Sequence, residues 1–175
     1  MLKWLVLSIV LCATQLVSAQ NKYKVGDTLP VFVAETVDKT IFKLDSVLER
    51  PMVFICWASW NEPSMQLLDE INQQYPFVNP TRRTVFYHNI DVVDFSIDQR
   101  AEIHRITLKR ENWNWPTHLI TDKSWESEVI STLGITKIPT VFIVDKYRKI
   151  LVVDPDVKQM RSILAPFRAP FPLSN

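Results

Sequence analysis

A strand, a short loop and a helix follow one another directly in the first half of this chain, and this unit constrains the fold more than any other feature. Residues 52–56 read Met-Val-Phe-Ile-Cys, an uninterrupted apolar run of strand length, as expected for a central strand that is buried on both faces. After a loop, Asn61 is a favourable helix N-cap, and Pro63 suits the first turn. Apolar residues then recur at helical spacing until Pro76 stops the pattern. We therefore predict a helix over residues 62–75.

Strand and helix patterns alternate along the rest of the chain. Strands are predicted at residues 32–36, 40–44, 52–56, 84–90, 140–144 and 149–153, and residues 115–120 lead into a further strand. Helices are predicted at residues 45–48, 62–75, 97–109, 124–133 and 157–164. This alternation implies an α/β fold, and the closing hairpin makes the sheet mixed. We expect one domain over residues 20–175, with an irregular tail from about Pro166.

Four segments, taken in order, resemble a known superfamily. They are residues 25–30 (Val-Gly-Asp-x-x-Pro), 54–60 (Phe-Ile-Cys-Trp-Ala-Ser-Trp), 134–140 (Gly-Ile-x-x-Ile-Pro-Thr) and 141–145 (Val-Phe-Ile-Val-Asp). At this spacing they resemble thioredoxin-like proteins of the TlpA/ResA type, near the alkyl hydroperoxide reductase and thiol-specific antioxidant group. The resemblance spans about residues 25–164 and implies a thioredoxin-like fold, in which a central mixed sheet is flanked by helices on both faces. It also suggests a cis peptide bond before Pro139.

The chain departs from this family at its chemically decisive positions. Where the family reads Cys-x-Pro-Cys, this sequence has Asn61 and Ser64 in place of the two cysteines. Dithiol exchange needs a thiolate and a second, resolving thiol. Asn61 has no nucleophile, and the hydroxyl of Ser64 lacks a neighbouring histidine base. We therefore expect no catalytic residue in this loop. Of two turns that usually contain glycine in the family, the hairpin turn has Arg148 instead, and the turn at Asp38 and Lys39 has no glycine.

Cys56 is the fallback thiol, because it is the only cysteine after residue 19. It lies inside the predicted central strand, where burial would raise its pKa and lower its reactivity. A structural role is the prediction. The alternatives are a reactive thiol at the base of the loop and an intermolecular disulfide.

The resemblance also implies a shallow groove between the loop and the cis proline, in which an extended peptide docks. The candidate binding residues are Trp60, Asn61, Glu62, Pro63, Ser64, Ile138 and Pro139. Exposed aromatic side chains often anchor protein contacts. The competing role for the tryptophans at 57, 60, 113 and 115 is core packing, since large aromatics supply much of a small domain's buried area.

Neither the histidines nor the clustered aspartates have the spacing of a metal site. The histidines are His88, His104 and His118, and core or surface roles are expected for them because zinc needs three or four converging ligands. The aspartates are Asp91, Asp94 and Asp98, which follow a predicted strand and suit loop and helix-capping roles. We expect no metal and no other cofactor.

The N-terminus and the overall charge bear on location and partners. Residues 1–19 combine Lys3, an apolar stretch and a Val-Ser-Ala end, which is typical of a secretory signal peptide. An uncleaved membrane anchor is the alternative, although the stretch is shorter than the roughly 20 residues of a spanning helix. The pattern predicts export, most simply to the periplasm, without a stable membrane span after cleavage. A formal net charge of +1 gives no reason to expect nucleic acid as a partner.

Three functions remain open at this point. The favoured one is an exported, redox-inactive thioredoxin-like domain that binds protein or peptide through the groove. The second is a thiol-disulfide oxidoreductase or peroxidase-type component of cell-envelope redox homeostasis, using Cys56 or a partner's cysteines. The third is a structural subunit of an envelope assembly. The sequence argues against an enzymatic activity, because the family's thiol pair is missing.

Overall fold

The computed structural model describes residues 22–74, 90–113 and 115–167, which form a seven-stranded mixed sheet with helices on both faces. The strands are β1 (Val33–Thr36), β2 (Ile41–Lys43), β3 (Met52–Trp57), β4 (Asp91–Ser96), β5 (Thr117–Ile120), β6 (Thr140–Val144) and β7 (Ile150–Val153). The helices are α1 (Glu62–Gln74), α2 (Ala101–Glu111), α3 (Glu128–Leu133) and α4 (Val157–Leu164). The order of strands across the sheet is β2-β1-β5-β4-β3-β6-β7. The predicted α/β thioredoxin-like fold is confirmed.

Strand β3 lies in the interior of the sheet, as its continuous apolar sequence predicts. It pairs in parallel with β4 and antiparallel with β6, and all six of its residues are buried. Because successive side chains point to opposite faces, Phe54 and Cys56 enter one core layer, while Ile55 and Trp57 enter the other. The second layer also contains apolar residues of α1 and α4. The loop after β3 therefore follows a strand whose backbone is held by pairing with both neighbouring strands.

Several element boundaries differ from the predictions. The strand predicted at residues 84–90 lies outside the described residues except for Ile90, which is not in a strand, and β4 begins at Asp91, where a loop was predicted. Residues 45–48 form no helix. The helix predicted at residues 97–109 begins later, at Ala101, and the buried Ile97 belongs to the preceding loop. The helix predicted over 124–133 is two elements, a 3₁₀ turn (Ser124–Glu126) and α3, divided by the extended residue Ser127, which caps α3 through the N–H of Val129.

Left-handed backbone occurs at three of the turn and cap positions that the sequence analysis named. Gly134 ends α3 with φ of 60°, as predicted for a glycine C-cap. Lys39 and Arg148 adopt φ of 62° and 64°, the conformation that glycine usually supplies. The two turns that depart from the family in sequence therefore keep the backbone geometry that glycine would allow.

Several predictions concern residues that the structure does not describe. The predicted signal peptide at residues 1–19, Tyr75 and Pro76, and the tail beyond Phe167 lie outside the described residues. Of the helices in the described part of the chain, none combines the length and apolar character needed to cross a bilayer.

Candidate functional site

The two positions that carry thiols in the family are here joined as a helix cap. The side-chain oxygen of Asn61 accepts hydrogen bonds from the backbone N–H of Ser64 at 2.9 Å and from its hydroxyl at 2.6 Å. Asn61 is half-buried and Ser64 is fully buried. The prediction that Ser64 lines an accessible groove is therefore wrong, whereas Glu62 and Pro63 are exposed beside it. The hydroxyl of Ser64 stabilises the first turn of α1 and does not face solvent.

Cys56 lies inside the sheet, as predicted. It is fully buried between β4 and β6. Burial raises the pKa of its thiol far above the usual range, and the backbone N–H of Trp57 offsets only part of this effect. A thiol that is both inaccessible and hard to ionise is a poor nucleophile. Cys56 is the only cysteine among the described residues, and it forms no disulfide.

The other wall of the predicted groove is at the start of β6. The peptide bond between Ile138 and Pro139 is cis, as the resemblance suggested, and both residues are half-buried. The next residue, Thr140, pairs with Cys56 across the sheet. Because β3 ends where β6 begins, Pro139 and the loop that follows Trp57 lie at the same edge of the sheet. The sheet register therefore brings the two predicted groove segments to one place.

Trp60 is the exposed aromatic residue of this edge, with 61% of its surface accessible. It lines a cleft of about 450 Å³ together with residues that sequence analysis did not single out. Trp125, which is 41% exposed, and Ile103 of α2 also line this cleft. Trp125 was missed because residues 124–133 follow a helical pattern, which gives no sign that the first turn is a separate 3₁₀ segment.

Asp98 is hydrogen-bonded to the loop that follows β3. Its carboxylate accepts hydrogen bonds from the backbone N–H and the hydroxyl of Ser59 and from the hydroxyl of Ser96. The loop role predicted for Asp98 is confirmed. Because Asp98 is 2% exposed, these bonds fix the backbone that presents Trp60 to solvent.

A buried cluster around Asp94 is the main feature that sequence analysis did not predict. Asp94 is fully buried on β4, so the loop or capping role predicted for it is wrong, as it is for Asp91 on the same strand. One carboxylate oxygen accepts the indole N–H of Trp57 at 2.9 Å, and the other accepts that of Trp115. His118 also hydrogen-bonds to the second oxygen.

The same carboxylate faces His104 of α2. The His104 Nε2 atom lies 3.3 Å from the Asp94 Oδ1 atom. Burial alone would raise the pKa of Asp94, but its contacts with His118 and His104 hold that pKa well below the usual range. His104 is buried, as its predicted core role allows, and so are the tryptophans at 57, 113 and 115. The convergence escaped prediction because the three groups come from separate elements.

Comparisons with known proteins agree with the fold. The model of a family described as thioredoxin-like matches residues 49–150. The thiol-disulfide oxidoreductase ResA of Bacillus cereus is 22% identical over 134 residues, which cover 77% of this chain and 71% of that protein.

Solved structures give the same result. A thiol-disulfide oxidoreductase from Bacteroides fragilis superposes with a TM-score of 0.65 at 19% identity, covering 80% of this chain and 98% of the other. A thiol:disulfide interchange protein from a Bacteroides species gives a TM-score of 0.66 at 12% identity, covering 82% and 89%. The chain therefore belongs to the thioredoxin-like family and is a TlpA/ResA-like protein with asparagine and serine at the family's two thiol positions.

Proposed function

We propose that this protein is a redox-inactive thioredoxin-like domain that binds protein or peptide at the edge formed by Trp60 and the cis proline. The observation that carries the proposal is the hydrogen-bonded cap between Asn61 and Ser64, which stands where the family has its thiol pair. This cap preserves the helix start and supplies no nucleophile. The buried Cys56 does not replace the missing thiols, because a partner's sulfur has no open path to it.

Binding is favoured by what remains accessible at this edge. Trp60 is a large, mostly exposed aromatic residue on a loop that the carboxylate of Asp98 holds in place. An ordered, exposed tryptophan is a typical anchor of protein interfaces, because its contact area is large and little conformational freedom is lost on binding. The cleft beside it, which Trp125 also lines, provides concave apolar surface for a partner's side chain.

The binding proposal is tested by site-specific photocrosslinking in cells that make the full chain. A photoreactive residue at the exposed Glu62 should give discrete crosslinked partners, and Trp60→Ala should reduce their yield at least about tenfold, as expected for loss of an interface anchor. The matched control carries the same photoreactive residue at Ile41, which is 72% exposed on an edge strand. The proposal fails if both positions give the same partners, or if Trp60→Ala leaves the Glu62 products unchanged.

A thiol-disulfide oxidoreductase is the second candidate, and the names of the similar proteins favour it. The relatives from Bacillus cereus and Bacteroides fragilis are both described as thiol-disulfide oxidoreductases. In this chain such an activity would have to use Cys56 or a partner's cysteines. Rapid labelling of Cys56 by a thiol-specific alkylating reagent in the native protein would favour the enzyme, whereas protection until denaturation favours the binding role.

We place this protein outside the cytoplasm, with the periplasm as its compartment. The support is the signal-like pattern of residues 1–19. Mass spectrometry of the protein recovered from the periplasm should find a chain that begins at residue 20. A chain that retains residues 1–19 and sediments with membranes would instead identify an anchor.

A further inference from the structure

The cluster around Asp94 brings three metal-binding side chains together from three elements. Asp94 of β4 and His118 of β5 are directly paired on adjacent parallel strands. His104 reaches them from α2, and one donor atom from each residue lies within 4.8 Å of the others. Two imidazoles and a carboxylate form a donor set that suits zinc and similar divalent transition metals.

His104 contributes two buried ring nitrogens to this cluster. Neither nitrogen forms a hydrogen bond of normal geometry with a described residue, although Nε2 lies in ion-pair range of the Asp94 carboxylate. An unpaired buried polar nitrogen is costly, because it has lost its bonds to water without replacement. The 3.3 Å between His104 Nε2 and Asp94 Oδ1 is close to the spacing of two ligands on a tetrahedral zinc ion, for which bond lengths of about 2.0–2.2 Å apply.

The surroundings of Asp94 match those of a metal-binding carboxylate. An ionised carboxylate has about four lone-pair positions, two on each oxygen. The indole N–H groups of Trp57 and Trp115 take one position on each oxygen of Asp94. They therefore fix the orientation of the carboxylate while a position on the oxygen nearest His104 stays available. Such outer hydrogen bonds are typical of metal sites, where they orient the ligands.

One of the three side chains is partly exposed to solvent. The His118 side chain is 11% exposed, whereas those of Asp94 and His104 are fully buried. A rotation of His118 from its hydrogen bond with Asp94 would open one side of the cluster and present a ring nitrogen to an entering ion. Three protein ligands leave a fourth position for water on this side.

We propose that Asp94, His104 and His118 form a binding site for a divalent transition metal of the zinc type. The site lies within the fold and is independent of whether the edge at Trp60 binds a protein. Metal binding would pair the buried nitrogen of His104 and tie α2 to the centre of the sheet through β4 and β5.

The test is calorimetric titration of the metal-free full chain with Zn²⁺. One saturable site is expected, and free Zn²⁺ at a hundred times the dissociation constant should raise the melting temperature by roughly 5–10 °C. Asp91→Asn, which changes a half-buried carboxylate on the same strand, should leave the affinity unchanged. A Co²⁺-loaded sample should give the spectrum of a nitrogen and oxygen site without a thiolate band.

Substitutions of the two histidines test whether they bind the metal. His104→Gln and His118→Asn each keep an amide group near the position of the lost ring nitrogen, and each should weaken Zn²⁺ binding at least about 100-fold, since loss of an outer partner alone costs 10–100-fold. Trp115→Phe, which leaves all three ligands in place, should weaken it 10–100-fold and serves if a ligand variant does not fold. The proposal is overturned if the wild type binds no Zn²⁺ saturably, or if the folded variants bind it as tightly as the wild type.

Discussion

The cap between Asn61 and Ser64 makes a quantitative prediction about stability. Asn61→Ala removes the acceptor of two hydrogen bonds, one from the Ser64 N–H at 2.9 Å and one from its hydroxyl at 2.6 Å. Loss of an asparagine N-cap costs about 1 kcal/mol. The Ser64 hydroxyl is fully buried, so leaving it without its acceptor costs a further 1–3 kcal/mol or so. We expect Asn61→Ala to lower the free energy of unfolding by about 2–4 kcal/mol.

A double-mutant cycle separates these two contributions. Ser64→Ala removes the hydroxyl that would be left unpaired, so Asn61→Ala in that background should cost only the cap, about 1 kcal/mol. Asn61→Asp is the matched control, because aspartate caps a helix as well as asparagine does. Urea denaturation of all five proteins measures the effect. The reasoning is refuted if Asn61→Ala lies within about 0.5 kcal/mol of the wild type, or if its cost is the same with and without the Ser64 hydroxyl.

Two further predictions concern the turns and the thiol. Lys39→Gly should raise the free energy of unfolding by up to about 1 kcal/mol, because it relieves a left-handed backbone at an exposed position. Arg148→Gly should lower the free energy of unfolding, since the Arg148 guanidinium also donates hydrogen bonds to the carbonyls of Leu29 and Ser46. Equal changes for the two variants in denaturation experiments would contradict this reasoning. Because burial raises the pKa of Cys56, the unfolded thiol ionises first, so stability should fall as the pH rises through the ordinary thiol value of about 8.5. Cys56→Ala should remove that part of the decline, and an unchanged pH profile would count against a buried thiol.

The parts of the fold that sequence reasoning predicted well carry local signals. Strand β3 is a continuous apolar run, and α1 follows the cap residue Asn61 and has Pro63 in its first turn, two residues that favour a helix start by themselves. Helix α4 spans Val157–Leu164 as predicted. Gly134 marks the end of α3 because few other residues adopt its backbone conformation without strain.

Strand β4 and the cluster on it could not be predicted in the same way. Its sequence contains Asp91 and Asp94, and a charged residue is rarely buried in a central strand unless it is paired. The groups that pair with Asp94 are the indoles of Trp57 and Trp115 and the imidazole of His118, which lie 37, 21 and 24 residues away. No spacing pattern within one segment reports such partners. The folded sheet alone reveals that burial of this carboxylate is compensated.

The central claim is tested most directly by measuring how fast the protein catalyses the reduction of insulin disulfides, with a small-molecule thiol as the electron donor. The claim is that the thioredoxin-like frame is intact and that only the sulfur is missing from it. The wild type should reduce insulin at the background rate, and Asn61→Cys combined with Ser64→Cys should raise the rate clearly above background. A wild-type rate well above background that is abolished by Cys56→Ser would contradict the account, as would a double-cysteine variant that folds and stays inactive.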